Sequence, residues 1–238
     1  MMPIYFKTID STNSYLKRNY QSLDHLTWVK SDLQTHGKGR LLNQWIGTKD
    51  SLLCSVILKD TIDINMITRM PLLAAQSLHK TLKKYHKDIL IKWPNDLYLN
   101  DKKIAGILVE SIIDQSKVLA LVIGFGININ QPSFPEIIEH KATSLYLNTG
   151  NINDKDKIFQ KLIEIFSTDL NNYMKKPLEV INYCNDHAYL KNKTITYMKD
   201  QKLHQGMVSS INHDGYLVVK NDDQSIILDS GEVTLKTI

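Results

Sequence analysis

The chain holds only two cysteines among its 238 residues. Cys54 sits in a strand-like apolar run and Cys184 in a helical stretch. Neither has metal-ligand spacing around it, so both read as buried free thiols, and no disulfide or zinc site is expected. Long apolar runs are lacking too. Those at residues 51–58 and 118–123 fall far short of the roughly 20 residues that a membrane-spanning helix needs. The opening Met-Met-Pro-Ile-Tyr-Phe-Lys has no basic-then-apolar layout of a secretory leader. The expectation is a cytoplasmic protein without membrane association. Nor does charge of one sign dominate: the formal net charge is +4, with lysines spread along the chain, which is too little to argue for a nucleic-acid partner. A local run, Lys-Thr-Leu-Lys-Lys-Tyr-His-Lys at 80–87, reads as the solvated end of a helix, where lysines complement the macrodipole. No repeat or low-complexity tract is present, and 42% apolar content is ample for a core.

What is present follows two local grammars. Asp10, Ser11, Thr12 and Asn13 supply capping side chains ahead of Tyr15 and Leu16, predicting a short helix. Residues 28–31 read as a strand leading into a glycine loop, and residues 52–58 as a strand apolar enough to be covered on both faces. From about Met66, the positions Ile67, Met70, Leu73, Ala74, Leu78 and Leu82 recur at helical spacing with Pro71 inside the pattern. The helix therefore begins near Pro71 or bends there. Residues 118–125 form another buried strand. A second helical stripe, Ile158, Phe159, Leu162, Ile163, Phe166 and Leu170, spans 154–174, and a shorter helix follows Pro177 over 178–185. Beyond Lys191 the pattern changes to short strands at 194–198, 206–212, 216–220, 225–228 and 233–235, separated by polar turns. Five short strands in this space suggest a small SH3-like barrel. The chain reads as α+β, with a larger domain of helices and strands over 1–188 and a small β domain over 189–238.

The richest segment is the cassette at 92–110, Lys-Trp-Pro-Asn-Asp-Leu-Tyr-Leu-Asn-Asp-Lys-Lys-Ile-Ala-Gly-Ile-Leu-Val-Glu. Pro94 restricts its own backbone and that of Trp93, so Asn95 and Asp96 enter the next strand at a constrained angle. Asn100-Asp101 supplies a turn, and the returning strand brings Lys103 across from Asn95 and Asp96. A polar hairpin end with solvated charges is the bland alternative. A second segment, His36-Gly-Lys-Gly-Arg40, has glycines that let backbone amides approach an anion, with Lys38 and Arg40 supplying cations. Gly124-x-Gly126 is open to reading as a dinucleotide fingerprint, but the third glycine and the later acidic residue are missing.

These segments, with Asp10-Ser11-Thr12-Asn13, Gln34, Trp45 and Gly124-Phe-Gly-Ile-Asn128 in this order, closely resemble the biotin protein ligases. The resemblance runs from about Tyr5 to Leu235. It implies the mixed-sheet fold of the biotin and lipoyl ligases, related to class II synthetases, with a C-terminal SH3-like barrel. It also implies an enzyme that makes biotinyl-5′-AMP from biotin and MgATP, then transfers biotin to one lysine of a carboxyl carrier protein, such as that of acetyl-CoA carboxylase. Carried over residue by residue, it implies that Ser11, Thr12, Asn13 and Gln34 surround the polar end of biotin, with Trp45 and Gly106 also at biotin. Lys38, Gly39 and Arg40 would meet its carboxylate and then the acyl-phosphate, joined there by Lys103. Lys103 and Arg40 would be the catalytic residues. Asn95, Asp96 and Asn128 would contact the nucleotide, Asp96 serving its Mg2+ and the proton of the incoming lysine, and Gly231-Glu232 would border it from the barrel. The glycine loop departs from the family pattern Gly-Arg-Gly-Arg-x-Gly/Asn-Arg-x-Trp: Lys38 stands for one arginine, Asn43 for another, and Leu42 for a small or polar residue.

With about ten residues before Ser11, too few for a winged helix, a dedicated ligase that binds no operator DNA is expected, as monomer or homodimer. The nearest enzyme rival is a lipoate ligase or octanoyltransferase of the same fold. Against it stand the run Ile107-Leu-Val-Glu110, where lipoyl enzymes have small residues, and the absence of their Arg-Arg…Gly-Gly-Gly segment. A rival from another class, a non-catalytic binder using the terminal barrel, has only Tyr197 and Tyr216 for an aromatic platform.

Overall fold

The computed structural model describes residues 2–40, 43–59, 63–115, 117–199, 202–221, 224–229 and 233–235. Leu42, Gly231 and Glu232 lie outside the described residues.

Two sheets organise the chain. The first contains β1 (Ile4–Ile9), β2 (Trp28–Gln34), β3 (Ser51–Leu58), β4 (Leu90–Lys92), β5 (Asp96–Leu99), β6 (Lys102–Asp114) and β7 (Lys117–Asn128) in the order β1-β2-β3-β7-β6-β5-β4. In it β1 and β2 run parallel, and the other neighbours are antiparallel. The parallel pair needs a crossover, and α1 (Thr12–Arg18) supplies it, capped by the Ser11 side chain on the Ser14 amide.

Every residue of β3 is buried, because helices cover both of its faces. On one face lie α2 (Ile64–Leu82) and α5 (Lys155–Lys175), whose apolar stripes join the main core around Trp28, Phe125, Phe159 and Phe166. On the other lies α1, with Leu16 against Val29, Ile57, Ala120 and Val122. Helix α2 begins seven residues before Pro71 and runs through it, so Pro71 is not the helix start. Tertiary burial of Met70, Leu72, Leu73 and Ala74 outweighs the one backbone hydrogen bond that proline forfeits. The lysine run also needs correction at its first member. Lys80 is an ion-pair partner of Asp169 on α5, 2.6 Å away, and that carboxylate is 3% exposed and also accepts from Ser77 Oγ. The pair clamps α2 to α5.

After α3 (Glu136–Glu139), α4 (Leu145–Thr149) and α6 (Glu179–Asp186), the second sheet follows. Its strands β8 (Thr194–Lys199), β9 (Lys202–Ile211), β10 (Leu217–Asn221), β11 (Gln224–Leu228) and β12 (Val233–Leu235) are antiparallel in the order β11-β10-β9-β8-β12. The last strand thus returns to pair with the first, the connectivity of a small barrel-like β domain. Ile195, Tyr197, Val208 and Leu217 from this sheet join the same core as the helices. The turn before β10 docks on α2: Thr68 Oγ1 donates to Asp214 O and Arg69 Nε to His213 O. Both cysteines are buried and free. No helix among the described residues is long and apolar enough to cross a membrane.

Candidate active site

On the face of the first sheet that carries α1, the helix covers only part of the strands. The uncovered part forms a cavity of about 560 Å³. Its floor is a pair of facing glycines, Gly106 on β6 and Gly126 on β7, directly opposite in the register. The Trp45 indole lies against them: a Cβ on Gly126 would stand 2.4 Å from Trp45 Cε2, and one on Gly106 would stand 3.0 Å from Trp45 Cζ3. No side chain fits beneath that ring. Gly124, two residues earlier, plays the same part for Asn13, whose Oδ1 would lie 2.3 Å from a Cβ there. Gly124-x-Gly126 is therefore mid-strand clearance and not a turn over a dinucleotide.

One end of the cavity is polar and buried. Ser11, Thr12 and Asn13 at the start of α1 are 2%, 3% and 4% exposed, so each polar atom needs a partner. The Thr12 amide donates to Gln34 Oε1 at 2.7 Å, and Thr12 Oγ1 meets Ser55 Oγ at 2.6 Å. Ser55 Oγ donates to Asn13 Oδ1 at 2.6 Å. Asn13 Nδ2 donates to Glu110 Oε2 at 2.9 Å and to Leu108 O at 3.3 Å. Glu110 Oε1 in turn accepts from Lys17 Nζ at 2.8 Å. Burial pushes the Glu110 carboxyl up, but the hydrogen bonds from Lys17 and Asn13 and the charges of Lys17 and Lys38 pull it below its ordinary value.

The other end is cationic. The 92–110 cassette forms the expected hairpin, with Asn100 and Asp101 both at positive φ, 49° and 61°, as a two-residue type I′ turn requires. Trp93–Pro94 is a cis peptide. Lys103 folds back over Gly106, and its Nζ pairs with Asp96 Oδ1 at 2.7 Å while standing 5.6 Å from the Trp45 ring centroid. That contact lies outside hydrogen-bond geometry, since Asp96 Oδ1 is buried with no hydrogen-bond partner among the described residues. Arg40 Nη1 donates to Asn95 Oδ1 at 3.0 Å, and Asn95 Nδ2 to Ile107 O at 2.6 Å. The glycine loop is thus tied to the hairpin through one guanidinium. Within the loop, Trp45 N donates to Gly37 O and Gly39 N to Asn43 O. Asn128 is 3% exposed and already holds Thr143 O and Gln131 Nε2.

Among the described residues, the candidate site residues converge on this cavity: Ser11, Thr12, Asn13, Gln34, Lys38, Gly39, Arg40, Trp45, Asn95, Asp96, Lys103, Gly106 and Asn128 line it. Sequence reasoning missed Ser55, Lys17 and Glu110 as members of the polar network. It also missed Lys92, Tyr98 and the rim of Phe134, Ile137 and Lys141. Glu110 ends the quoted cassette, but nothing local in the sequence places it beside Asn13.

The model of the biotin/lipoate A/B protein ligase family matches residues 5–128. The bifunctional ligase/repressor BirA of Bacillus spizizenii is 34% identical over 154 residues, which are 62% of this chain and 47% of that protein. The biotin–[acetyl-CoA-carboxylase] ligase of Paracoccus denitrificans is 28% identical over 164 residues, 66% of this chain and 68% of that protein. In structure, the biotin protein ligase from Aquifex aeolicus in complex with biotin and ATP superposes with a TM-score of 0.86 at 27% identity, covering 98% of this chain and 97% of that one. The chain spans about half the length of the Bacillus relative.

Proposed function

Since the chain belongs to the biotin/lipoate A/B protein ligase family, we propose that it is a biotin protein ligase working through an adenylate. Biotin's carboxylate oxygen attacks the α-phosphorus of ATP, the bond to the β-phosphate breaks, and pyrophosphate leaves. The amine of an acceptor lysine then attacks the acyl carbon, loses a proton, and displaces AMP as the amide forms.

The observation that carries this reading is a cavity polar at one end and cationic at the other, joined by an aromatic-over-glycine channel. At the polar end Gln34 Oε1 is held by the Thr12 amide, while Gln34 Nε2 makes no hydrogen bond among the described residues. Asn13 Oδ1 keeps one lone pair beyond its bond from Ser55. Free donors beside a free acceptor suit a cyclic urea, which has one carbonyl and two N–H groups. An acyl chain or a dithiolane would leave them unpaired, at about 1–3 kcal/mol each. At the cationic end, Lys103 and Arg40 supply charge where an acyl-phosphate forms and later departs, Lys38 and Gly39 extend that anion site from the loop, and Asn95 and Asn128 offer amides to the nucleotide. ATP arrives as its magnesium complex. Mg2+ is held mainly by phosphates with one or two carboxylates, and Asp96, whose Oδ1 stands 2.7 Å from Lys103 Nζ, is the carboxylate that lines the cavity.

The acceptor is a lysine on a biotin carboxyl carrier domain, and a cytoplasmic setting suits two free, buried thiols. The larger domain is residues 1–188 and the smaller 189–238. The test is exchange of labelled pyrophosphate into ATP with biotin, lipoate or octanoate as the acid. Exchange with biotin in preference to the others is the expected result; preference for lipoate or octanoate would overturn the biotin assignment.

A further inference from the structure

We infer that Glu110, held by Lys17, is a positioning residue that fixes which way the Asn13 carboxamide faces, and thereby selects a cyclic urea over an acyl chain. The inference rests on the biotin reading and deepens it. Asn13 spans three strands: its carboxamide lies over Gly124, which is opposite Ser55 on β3 and Leu108 on β6. Two atoms facing the amide on the β6 side, Glu110 Oε2 and Leu108 O, are pure acceptors. They demand the NH2 group there, so Oδ1 must face Ser55 and keep its remaining lone pair for a ligand N–H. The Leu108 contact is long, at 3.3 Å, and Glu110 at 2.9 Å is the stronger determinant.

Lys17 and Glu110 are 36% and 21% exposed in their side chains and lie behind Asn13 as seen from the cavity, since neither lines it. Their hydrogen-bonding effect on a ligand therefore passes through the amide, while the Glu110 charge also acts on Lys38, which lines the cavity. With Glu110 gone, one strong reason for the amide's orientation disappears. An inverted Asn13 then presents N–H to N–H. A ligand without a urea loses nothing by that inversion, so discrimination falls together with biotin affinity.

The test compares Glu110→Ala, Glu110→Gln and the double variant Lys17→Gln/Glu110→Gln in the full chain by steady-state pyrophosphate release. Glu110→Ala should raise the KM for biotin about tenfold or more while leaving the KM for ATP and kcat near wild type, as expected on losing one charge-assisted hydrogen bond. Glu110→Gln should do no better. Lys17 will claim the carbonyl of the new amide at position 110 and turn its NH2 against that of Asn13. In the double variant, a second amide at position 17 accepts from that NH2 and leaves the carbonyl at 110 free for Asn13, so the biotin KM should return most of the way. A double variant no better than Glu110→Gln, or biotin and ATP KM values rising together, would overturn the inference. So would an unchanged biotin KM in Glu110→Ala, with the biotin reading still standing. A wild type that activates lipoate in preference to biotin would end both.

Discussion

A hydrogen atom in place of a methyl group at position 124 lets Asn13 lie across three strands. Gly124→Ala would put a Cβ 2.3 Å from Asn13 Oδ1, and the amide must swing out of its bonds to Ser55 and Glu110. The expected outcome is a biotin KM raised about tenfold or more, the worth of a well-made hydrogen bond, with the ATP KM unchanged; a substrate titration of the variant checks it. Lys103 is the counterpart at the other end. Its amine is the cation beside Asp96 and Trp45, and removing one such stabilising group costs about 10²–10³ in rate. Lys103→Ala should therefore slow pyrophosphate exchange by about 10²–10³-fold. Its side chain is 32% exposed, so truncation should shift stability by no more than about 0.5 kcal/mol. Exchange at the wild-type rate would remove Lys103 from the chemistry.

Among the elements, the glycine loop and the α2–α6 contact make separate claims. The Arg40–Asn95 bond ties the loop to the hairpin, and under the proposed ligase function Arg40 would hold the reactive mixed anhydride beneath the loop until the acceptor lysine arrives. Arg40→Gly should impair retention of biotinyl-AMP more than its synthesis, and a bystander such as serum albumin should become biotinylated on streptavidin blots. Labelling equal to wild type, with synthesis intact, would pass the latch to another residue, Lys38 first. The helix contact is built on His79, 1% exposed, whose Nε2 must donate to Ile89 O and whose Nδ1 therefore accepts from Tyr183. Burial, with smaller effects from His187, Lys83 and Lys80, lowers its pKa from 6.5 to about 4. Between those values the unfolded chain holds the proton and the folded one does not, so stability is full above pH 6.5 and falls as pH drops toward 4. The loss amounts to at most about 3 kcal/mol. Urea midpoints of wild type and His79→Gln from about pH 7 to about pH 4 should converge as pH falls; parallel curves would mean that His79 does not titrate.

For the molecule as a whole, the two sheets act as one body around a shared core. Trp93, the residue before Pro94-Asn95-Asp96, is 4% exposed and its Nε1 donates to Gly215 O of the small sheet's docking turn at 2.9 Å. The hairpin that carries Asn95 and Asp96 thus leans on the C-terminal domain. A ligand that binds only the folded state should stabilise all of it together. Biotin at a hundredfold excess over its dissociation constant should add about 2.7 kcal/mol, MgATP should add more, and lipoate should leave the melting temperature where it was. A shift with lipoate and none with biotin would overturn the substrate assignment.

Local structure was legible in the linear pattern, and the residues of the site were brought together by the chain's resemblance to a known family and not by any local signal. Capping at Ser11, the buried run of β3, the Asn100-Asp101 turn and the five short C-terminal strands depend on neighbours within a few residues, and a linear pattern records them. The cassette and the glycine loop were legible because their chemistry is concentrated in short segments. Strand β1 and helices α3 and α4 were not read, being short, weakly periodic or stabilised by distant pairing, as where residues 141–143 bond the Lys103 backbone. Packing in three dimensions, and nothing local, sets the run of α2 through Pro71, the Lys80–Asp169 clamp between α2 and α5, and the space that Gly106, Gly124 and Gly126 clear for Trp45 and Asn13. It also joined Lys17, Ser55 and Glu110 to one amide. These depend on how α1 crosses the sheet and on which strands lie side by side, and contacts between residues some 40 to 100 positions apart are set by packing of the whole chain, which no local pattern encodes.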